Sequence, residues 1–480
     1  MHVILDGQGP LHAQLTRALK QAMLAGRVAQ GAQLPPTRLL AKELGLSRTT
    51  ILTSYEQLRA EGYINGKVGS GSYVSPPLLV ATTVQQGALT CHAQSDFSTR
   101  ARLIHNHDAL QRMRLDAVRF NFQYGLPLAN QALSSAWARE LAHAAMYTSP
   151  FYPATQGSPA LRAAISDCLA RRRGIRAEPD DILVVSGAQQ AMALTASILI
   201  DPGDPVVVEE PQYFATREQL QIYGARITGV GVDAQGIRCD AMPPRPQKLI
   251  CVTPSHQFPT GAVMSQSRRV DLLHYARQHQ SWIFEDDYDG EFRYGSKPLP
   301  ALQSLDQDGR VIYAGTFSKT MFPGLRMGYV VMPKALRNDF IAAKWVHDFG
   351  SPAIEQAALA NFMAKGSFER HLRRMSIALH QRRQVLLSAL RAIGGDRLTV
   401  MDSSAGMHLV VWLRDKNAAQ GNAMIEHALS LGLGLHSVLP HYIDPPDRAG
   451  LLMGYGGLTT AEIRDGMEVF AVCLKRAYAS

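Results

Sequence analysis

Lys319 stands in the stretch Tyr313-Ala314-Gly315-Thr316-Phe317-Ser318-Lys319-Thr320-Met321-Phe322-Pro323-Gly324-Leu325-Arg326. An apolar run ends there in small and hydroxyl residues, and Arg326 follows the lysine by seven positions. A strand leaving a sheet at this point puts an amine beside a cationic, hydroxyl-rich pocket. That combination suits a Schiff-base lysine next to a phosphate-bearing cofactor, as expected for pyridoxal phosphate (PLP). Taken alone the lysine means little, because the chain has eleven and most lysines are solvated surface charges.

Three further stretches carry chemistry, each behind a short apolar run. Ser186-Gly187-Ala188-Gln189-Gln190 follows Val185 as a small-residue turn opening a helix, whose free N–H groups would bind phosphate. Glu285-Asp286-Asp287-Tyr288-Asp289 follows Phe284, and four carboxylates this close repel one another unless a cation, a metal or a protonated ring stands nearby. Magnesium is the natural rival there to a pyridinium, but no nucleotide-type P-loop accompanies it, so no metal is expected. Thr253-Pro254-Ser255-His256-Gln257-Phe258-Pro259-Thr260-Gly261 is a turn-rich loop whose histidine is either structural or faces the cofactor.

The elements that must hold these residues are legible as alternation. Ile182–Val185, Val206–Val208, Leu249–Val252, Trp282–Phe284 and Val311–Tyr313 read as short strands, and Ala191, Leu194 and Ile198 mark a helix after the first. This predicts an α/β domain over residues 118–480 with a mostly parallel sheet, whose ligands gather at the carboxyl ends of the strands. At 480 residues one core is improbable, so at least two domains are expected. The composition, 46% hydrophobic and 19% charged, is that of a globular protein, and no run of about 18 apolar residues predicts a membrane span. Met1-His2-Val3-Ile4-Leu5-Asp6 lacks the basic start of a secretory signal. The five cysteines are scattered without a Cys-x-x-Cys pair, which fits a reducing cytoplasm.

Of the net charge of +9, residues 1–75 supply +4, from eight Lys/Arg against four Asp/Glu. Residues 76–120 add +2, from five arginines against three aspartates. This asymmetry points to a polyanion at the N-terminal end. There, Leu11, Leu15, Ala18, Leu19, Ala22 and Met23 recur at helical spacing up to Gly26. After Pro35-Pro36, Thr37 is placed to cap a short helix through Leu44, and Ser47 to cap the next, with Leu46 and Ile51 spaced as a hydrophobic staple. Helix, Gly45-centred turn and capped helix make a helix-turn-helix, and a hairpin tipped by Asn65-Gly66-Lys67-Val68-Gly69-Ser70-Gly71 follows.

Residues 10–74 closely resemble the winged helix of the GntR family, through Gly31-Ala32-Gln33-Leu34-Pro35-Pro36-Thr37-Arg38, Leu44-Gly45-Leu46-Ser47-Arg48-Thr49-Thr50, Tyr55-Glu56-Gln57-Leu58 and Glu61-Gly62-Tyr63 to Gly69-Ser70-Gly71-Ser72-Tyr73-Val74. The resemblance implies an α+β DNA-binding domain over residues 1–75. Arg38, Arg48, Thr49 and Thr50 would meet the operator, and Lys67 and Ser70 would sit on the wing. Residues 76–117 read as a linker, and a flexible coil of that length spans about 35 Å.

The later stretches, in their order, resemble the fold-type-I PLP enzymes of the aspartate aminotransferase superfamily, from Gly125-Leu126-Pro127 to Gly457-Leu458-Thr459. With the winged helix in front, the whole chain resembles the MocR/GabR-type subfamily of GntR regulators. The resemblance implies a large, mostly parallel-sheet domain with a smaller C-terminal subdomain. Lys319 would carry PLP as an aldimine, Asp286 would pair with the ring nitrogen, and Tyr288 would bond the ring oxygen. Arg326, Thr316, Ser318 and the backbone of Gly187, Ala188 and Gln189 would hold the phosphate. Tyr213 would stack on the ring, with His256 and Gln257 near it. Tyr152 would reach the phosphate of a neighbouring subunit, which implies a homodimer with shared sites.

The chain departs from the aminotransferases at Gly450-Leu451-Leu452-Met453-Gly454-Tyr455, where Leu452 takes the position of the arginine that grips the substrate carboxylate. Arg448 is close in sequence and is the candidate substitute. Gln212 also replaces the usual glycine before the stacking tyrosine. The expected protein is a cytoplasmic, DNA-bound transcriptional regulator that senses PLP, or an amine reacting with it, at Lys319. Its partners are repeated operator half-sites, a second copy and RNA polymerase. An active aminotransferase with a DNA-binding head is the alternative.

Overall fold

Ser47 sets the geometry of the N-terminal unit. In the computed structural model, which describes residues 4–67, 71–75, 94–104, 118–127, 135–294 and 299–479, its hydroxyl accepts the Thr50 N–H at 3.1 Å. That bond caps helix α3 (Arg48–Ala60), which follows α1 (Leu11–Leu24) and α2 (Thr37–Leu44). Gly45 ends α2 with a left-handed φ of 66°. Thr37 is not the cap that its sequence position predicts. Pro36 occupies the cap, and Thr37 is already the first helical residue, because the fixed proline φ suits the entry to a helix. Leu15, Leu19, Leu34, Leu40, Ile51, Tyr55 and Leu58 form the core, and Leu46 packs against it. Strands β1 (Ile64–Lys67) and β2 (Gly71–Val74) pair antiparallel, with Ile64 opposite Val74. Ser70, expected on the wing, lies outside the described residues.

The chain divides into two compact units, Met1–Ala93 and Gln94–Ser480. Part of the stretch expected as linker is a helix, Asp96–Ala101, packed on the second unit. Phe97 meets the Tyr223 ring edge-on at 5.6 Å, and the Arg100 Nε donates to the Ile222 carbonyl at 2.7 Å. The remaining linker residues, 76–93 and 105–117, lie outside the described residues.

In the second unit, β3 (Phe120–Asn121) precedes an eight-stranded sheet of β4 (Ile182–Val185), β5 (Pro205–Glu210), β6 (Arg226–Asp233), β7 (Gly236–Ile237), β8 (Leu249–Val252), β9 (Trp282–Asp287), β10 (Val311–Thr316) and β11 (Gly328–Val331). Their order is β4-β11-β10-β9-β8-β5-β6-β7. Neighbours from β10 to β6 run parallel, while β11 lies antiparallel between β4 and β10. Burial on both faces explains the unbroken apolar runs of β4 and β8. A smaller C-terminal sheet has the order β12-β13-β16-β15, from β12 (Leu398–Met401), β13 (His408–Leu413), β15 (His436–Ser437) and β16 (Gly450–Gly454). β14 (Leu433–Gly434) pairs with β3 instead. Among the described residues no helix is long and apolar enough to cross a membrane.

Candidate PLP site and DNA-reading helix

Lys319 follows β10 by three residues, at the carboxyl end of the sheet where small ligands collect in such folds. Its Nζ donates to the carbonyl of Gly125 at 2.6 Å. Gly125 has a φ of 74°, and a Cβ added there would lie 2.9 Å from that nitrogen. Burial pulls the Lys319 ammonium below its ordinary pKa, against the pull of Asp289 and Asp286. An amine so disposed gives up its proton more readily, which a lysine nucleophile requires.

The acid run Glu285 to Asp289 sorts itself by the strand's two faces, and each carboxylate meets different surroundings. Glu285 accepts the Leu302 and Gln303 N–H groups, both at 2.8 Å. Asp287 pairs with Arg173 and receives the Tyr313 hydroxyl at 2.5 Å. Asp289 bonds His256 Nδ1 at 2.9 Å. Among the described residues, Asp286 and Asp287 each keep a buried oxygen, Oδ1, without a hydrogen-bond partner, but Asp287 has Arg173 and Tyr313 at its other oxygen. Burial first, then repulsion from Asp287 and Asp289, lifts the Asp286 carboxyl to about 7. Such a group lacks a cationic donor, and a protonated ring nitrogen is one. Among the described residues the group with metal-ligand proximity is His256, Asp289 and His408, which takes one acid from the run.

Around Lys319 the other expected residues fall as follows. Gly187 (φ 93°) caps helix Ala188–Leu199, so the N–H groups of Ala188 and Gln189 lie in the first turn, the kind of helix end that suits an anion. Arg326 lies over it: a Cβ on Gly187 would be 3.5 Å from the guanidinium, whose Nη2 donates to the Ser186 carbonyl at 2.7 Å. The Thr316 hydroxyl accepts the Ser318 N–H at 3.1 Å, which turns the chain into this corner. Tyr213 stands edge-on to Phe258 at 5.6 Å, and burial, then Asp286, push its hydroxyl up to about 12.

His256 Nδ1 lies 2.9 Å from both Asp289 Oδ2 and the Tyr288 hydroxyl. A carboxylate that is ionised only accepts, so with Asp289 as its partner Nδ1 carries the proton, its one N–H is divided between the Asp289 and Tyr288 oxygens, and the tyrosine's own proton is left to donate elsewhere. Gln257 is committed to its own loop, with its amide donating to Pro211 and Phe258 carbonyls at 2.7 Å and its oxygen accepting from Thr260. Tyr152 is 90% exposed, and its ring lies 6.1 Å from that of Phe349.

Leu452 is fully buried and packs with Tyr124, Phe258, Val410, Trp412 and Val438. Arg448 does not substitute for the missing arginine by entering this wall; its guanidinium lies over the Trp412 ring at 4.4 Å. Sequence reading missed the Gly125 carbonyl, Arg173 and Asp289 as parts of the site. The first had a visible signal, a Gly-Leu-Pro turn. Arg173 had none, because 114 positions separate it from Asp287 in sequence.

On the first unit, Arg38, Arg48 and Thr49 are exposed at the starts of α2 and α3. Thr50 is turned partly inward, its hydroxyl 2.8 Å from that of Ser47. Lys67 lies in β1.

Winged helix and aminotransferase fold together define a transcriptional regulator with an aminotransferase-like second domain, whose site residues fit PLP. Residues 11–74 match the family of bacterial regulatory proteins, gntR family, and residues 120–430 match aminotransferase class I and II. The probable rhizopine catabolism regulatory protein MocR of Rhizobium meliloti is 36% identical over 466 residues, covering 96% of this chain and 93% of that protein. The HTH-type pyridoxine biosynthesis transcriptional regulator PdxR of Corynebacterium glutamicum is 29% identical, over 92% and 91%. The multiple substrate aminotransferase of Thermococcus profundus superposes with a TM-score of 0.72 at 25% identity, over 79% of this chain and 97% of that one. The chain belongs to the MocR/GabR-type subfamily of GntR regulators.

Proposed function

We propose that this protein is a PLP-dependent, DNA-binding regulator in which the aminotransferase-like domain is a sensor. The observation that carries the reading is the Asp286 oxygen without a partner, in the same buried site as an amine of lowered pKa. PLP supplies an aldehyde that an amine can capture and a ring that draws electrons. The chain's own residues have separate tasks. Lys319 offers Nζ as the covalent attachment point. Asp286 accepts from the ring nitrogen and is held ionised by it. Tyr288 donates to the ring oxygen, with its hydroxyl fixed by His256. Arg326, Thr316, Ser318 and the helix start at Gly187 would hold the phosphate, and Tyr213 would pack on the ring.

The signal is PLP itself or an amine that takes the place of Lys319 Nζ. Either alters DNA binding only by its different affinity for the two arrangements of the protein. Arg38, Arg48 and Thr49 contact operator half-sites, and two copies bind together. Retention of Lys319, Asp286 and Arg326 also suits a working aminotransferase, but the apolar packing of Leu452 favours the sensor, since an amino acid's carboxylate would find no bidentate partner there. Gel-shift titration of operator DNA with apo-protein, with PLP, and with PLP plus amines tests the reading. The expected result is a changed affinity or footprint with one ligand; identical binding in all arms overturns it.

A further inference from the structure

The apolar wall around Leu452 is continuous with the lysine site. Gly125, whose carbonyl takes Lys319 Nζ, is preceded by Tyr124, and Tyr124 packs with Phe258, Val410, Trp412, Val438 and Leu452. Tyr213 and Tyr288 sit at the edge of the same cluster. Three histidines join it. His408 bonds the Pro259 carbonyl at 3.0 Å, and His436 bonds Asn121 Oδ1 at 2.9 Å. His441 differs from both. It is 1% exposed, and among the described residues neither of its ring nitrogens makes a hydrogen bond of ordinary geometry, although the backbone of Gln212 acts on the ring. Its ring meets Phe258 edge-on at 4.9 Å and Tyr124 edge-on at 5.5 Å, and it lies nearly parallel to Tyr213 at 6.4 Å.

Among the described residues the wall around Leu452 contributes no charged side chain. Burial drives His408 and His441 down to about 3 and His436 to about 4, so all three are neutral at neutral pH. Arg217, the cation that acts on His441, straddles the turn from outside, donating to the Tyr442 carbonyl at 2.7 Å and to Pro440 at 3.4 Å. Arg448 lies flat on Trp412. A carboxylate here would be buried without a partner, which is costly. A neutral imidazole offers one donor and one acceptor, and a hydroxyl satisfies either.

The geometry points to a ligand pocket that accepts a primary amine without a carboxylate, carrying a hydroxyl that bonds His441. This rests on the reading of Lys319 as the PLP-bearing lysine, and it narrows the amine that site admits.

The test uses full-length protein saturated with PLP, titrated by calorimetry and by visible absorbance with L-alaninol, L-alanine and n-propylamine. L-Alaninol is expected to bind about tenfold or more tighter than L-alanine. His441→Phe should weaken alaninol about tenfold while moving n-propylamine less than about twofold, the apolar ring replacing a hydrogen-bonding one. Leu452→Arg should reverse the order, so that alanine binds better than alaninol. Retained cofactor absorbance reports that each variant is folded. Alanine binding as tightly as alaninol to the wild type, or alaninol indifferent to His441→Phe, overturns the inference while leaving PLP at Lys319 intact. Absence of any visible absorbance with PLP defeats the cofactor reading itself, and the two failures are therefore distinct.

Discussion

Arg173 and Asp287 form an ion pair whose side chains keep only 1% and 4% of their exposure, one residue along β9 from Asp286. Arg173 reaches further, to the Leu299 carbonyl at 3.1 Å, so one guanidinium anchors the strand that carries the ring-nitrogen carboxylate. Removing it leaves Asp287 buried without its cation, with the Tyr313 hydroxyl as its remaining partner. Arg173→Met should cost roughly 3–5 kcal/mol in denaturant unfolding of the second unit, and Arg173→Met with Asp287→Leu should recover much of that loss.

Gly125→Ala tests the resting place of the lysine. The left-handed φ of 74° costs a β-carbon about 1–2 kcal/mol, and the Cβ would stand 2.9 Å from Nζ. The variant should fold, but an absorbance titration should give PLP affinity reduced by about tenfold, since the lysine end must move.

Stability against pH should carry two opposed signatures. Asp286 in the apo-protein binds its proton up to about pH 7, while the unfolded chain releases it near 3.8. Unfolding between those values therefore expels a proton, and the group's contribution falls as pH rises through that window. The stability of wild type minus Asp286→Asn should decline between pH 4.5 and 7.5, and saturating PLP should flatten the decline. His441, down to about 3 from 6.5, works the other way. Its unfolded form takes up a proton that the folded form refuses, so its contribution rises with pH over about 3 to 6.5. The stability of wild type minus His441→Phe should climb in melts across that range.

At the winged helix, Ser47→Ala removes the cap of α3 and should destabilise the first unit by about 1 kcal/mol. Arg48→Ala should weaken operator binding by roughly 1–3 kcal/mol if the arginine reads a base. A phosphate contact would instead lower affinity evenly across sequences and reduce the salt slope by about one, which fluorescence anisotropy over a salt series distinguishes.

Trp345, 53% exposed, and Phe349, 54% exposed, join Tyr152 in one apolar surface, with ring separations of 4.9 Å and 6.1 Å. A surface of that kind fits a second copy of the chain. Trp345→Glu should move the protein towards monomer in light scattering and weaken PLP binding along with it, because Tyr152 is proposed to complete the neighbour's phosphate site.

What was legible in the chain followed from local order. The runs Ile182–Val185 and Leu249–Val252 coincide with β4 and β8, because strands buried on both faces must be apolar throughout. Arg226–Asp233 went unread as β6, since its alternating glycines and mostly exposed residues resemble a loop. Thr37 misled because a hydroxyl residue after two prolines suits either the cap or the first turn, and only backbone dihedrals separate them. The division of labour within Glu285 to Asp289 was closed to the sequence for another reason. Partners such as Arg173, Leu302 and His256 come from distant segments, and the repulsion expected among four acids is relieved by pleat alternation and separate contacts rather than by one cation.

The Gly125 carbonyl belongs to a segment stitched to the C-terminal subdomain: Phe120 N–H donates to Gly432, Phe122 N–H to Gly434, and Gly454 N–H to Phe122, at 3.0 ± 0.1 Å. Lys319 belongs to the large sheet. Their bond therefore ties the large sheet to the C-terminal subdomain through one nitrogen, and a lysine whose nitrogen is engaged elsewhere no longer makes that tie.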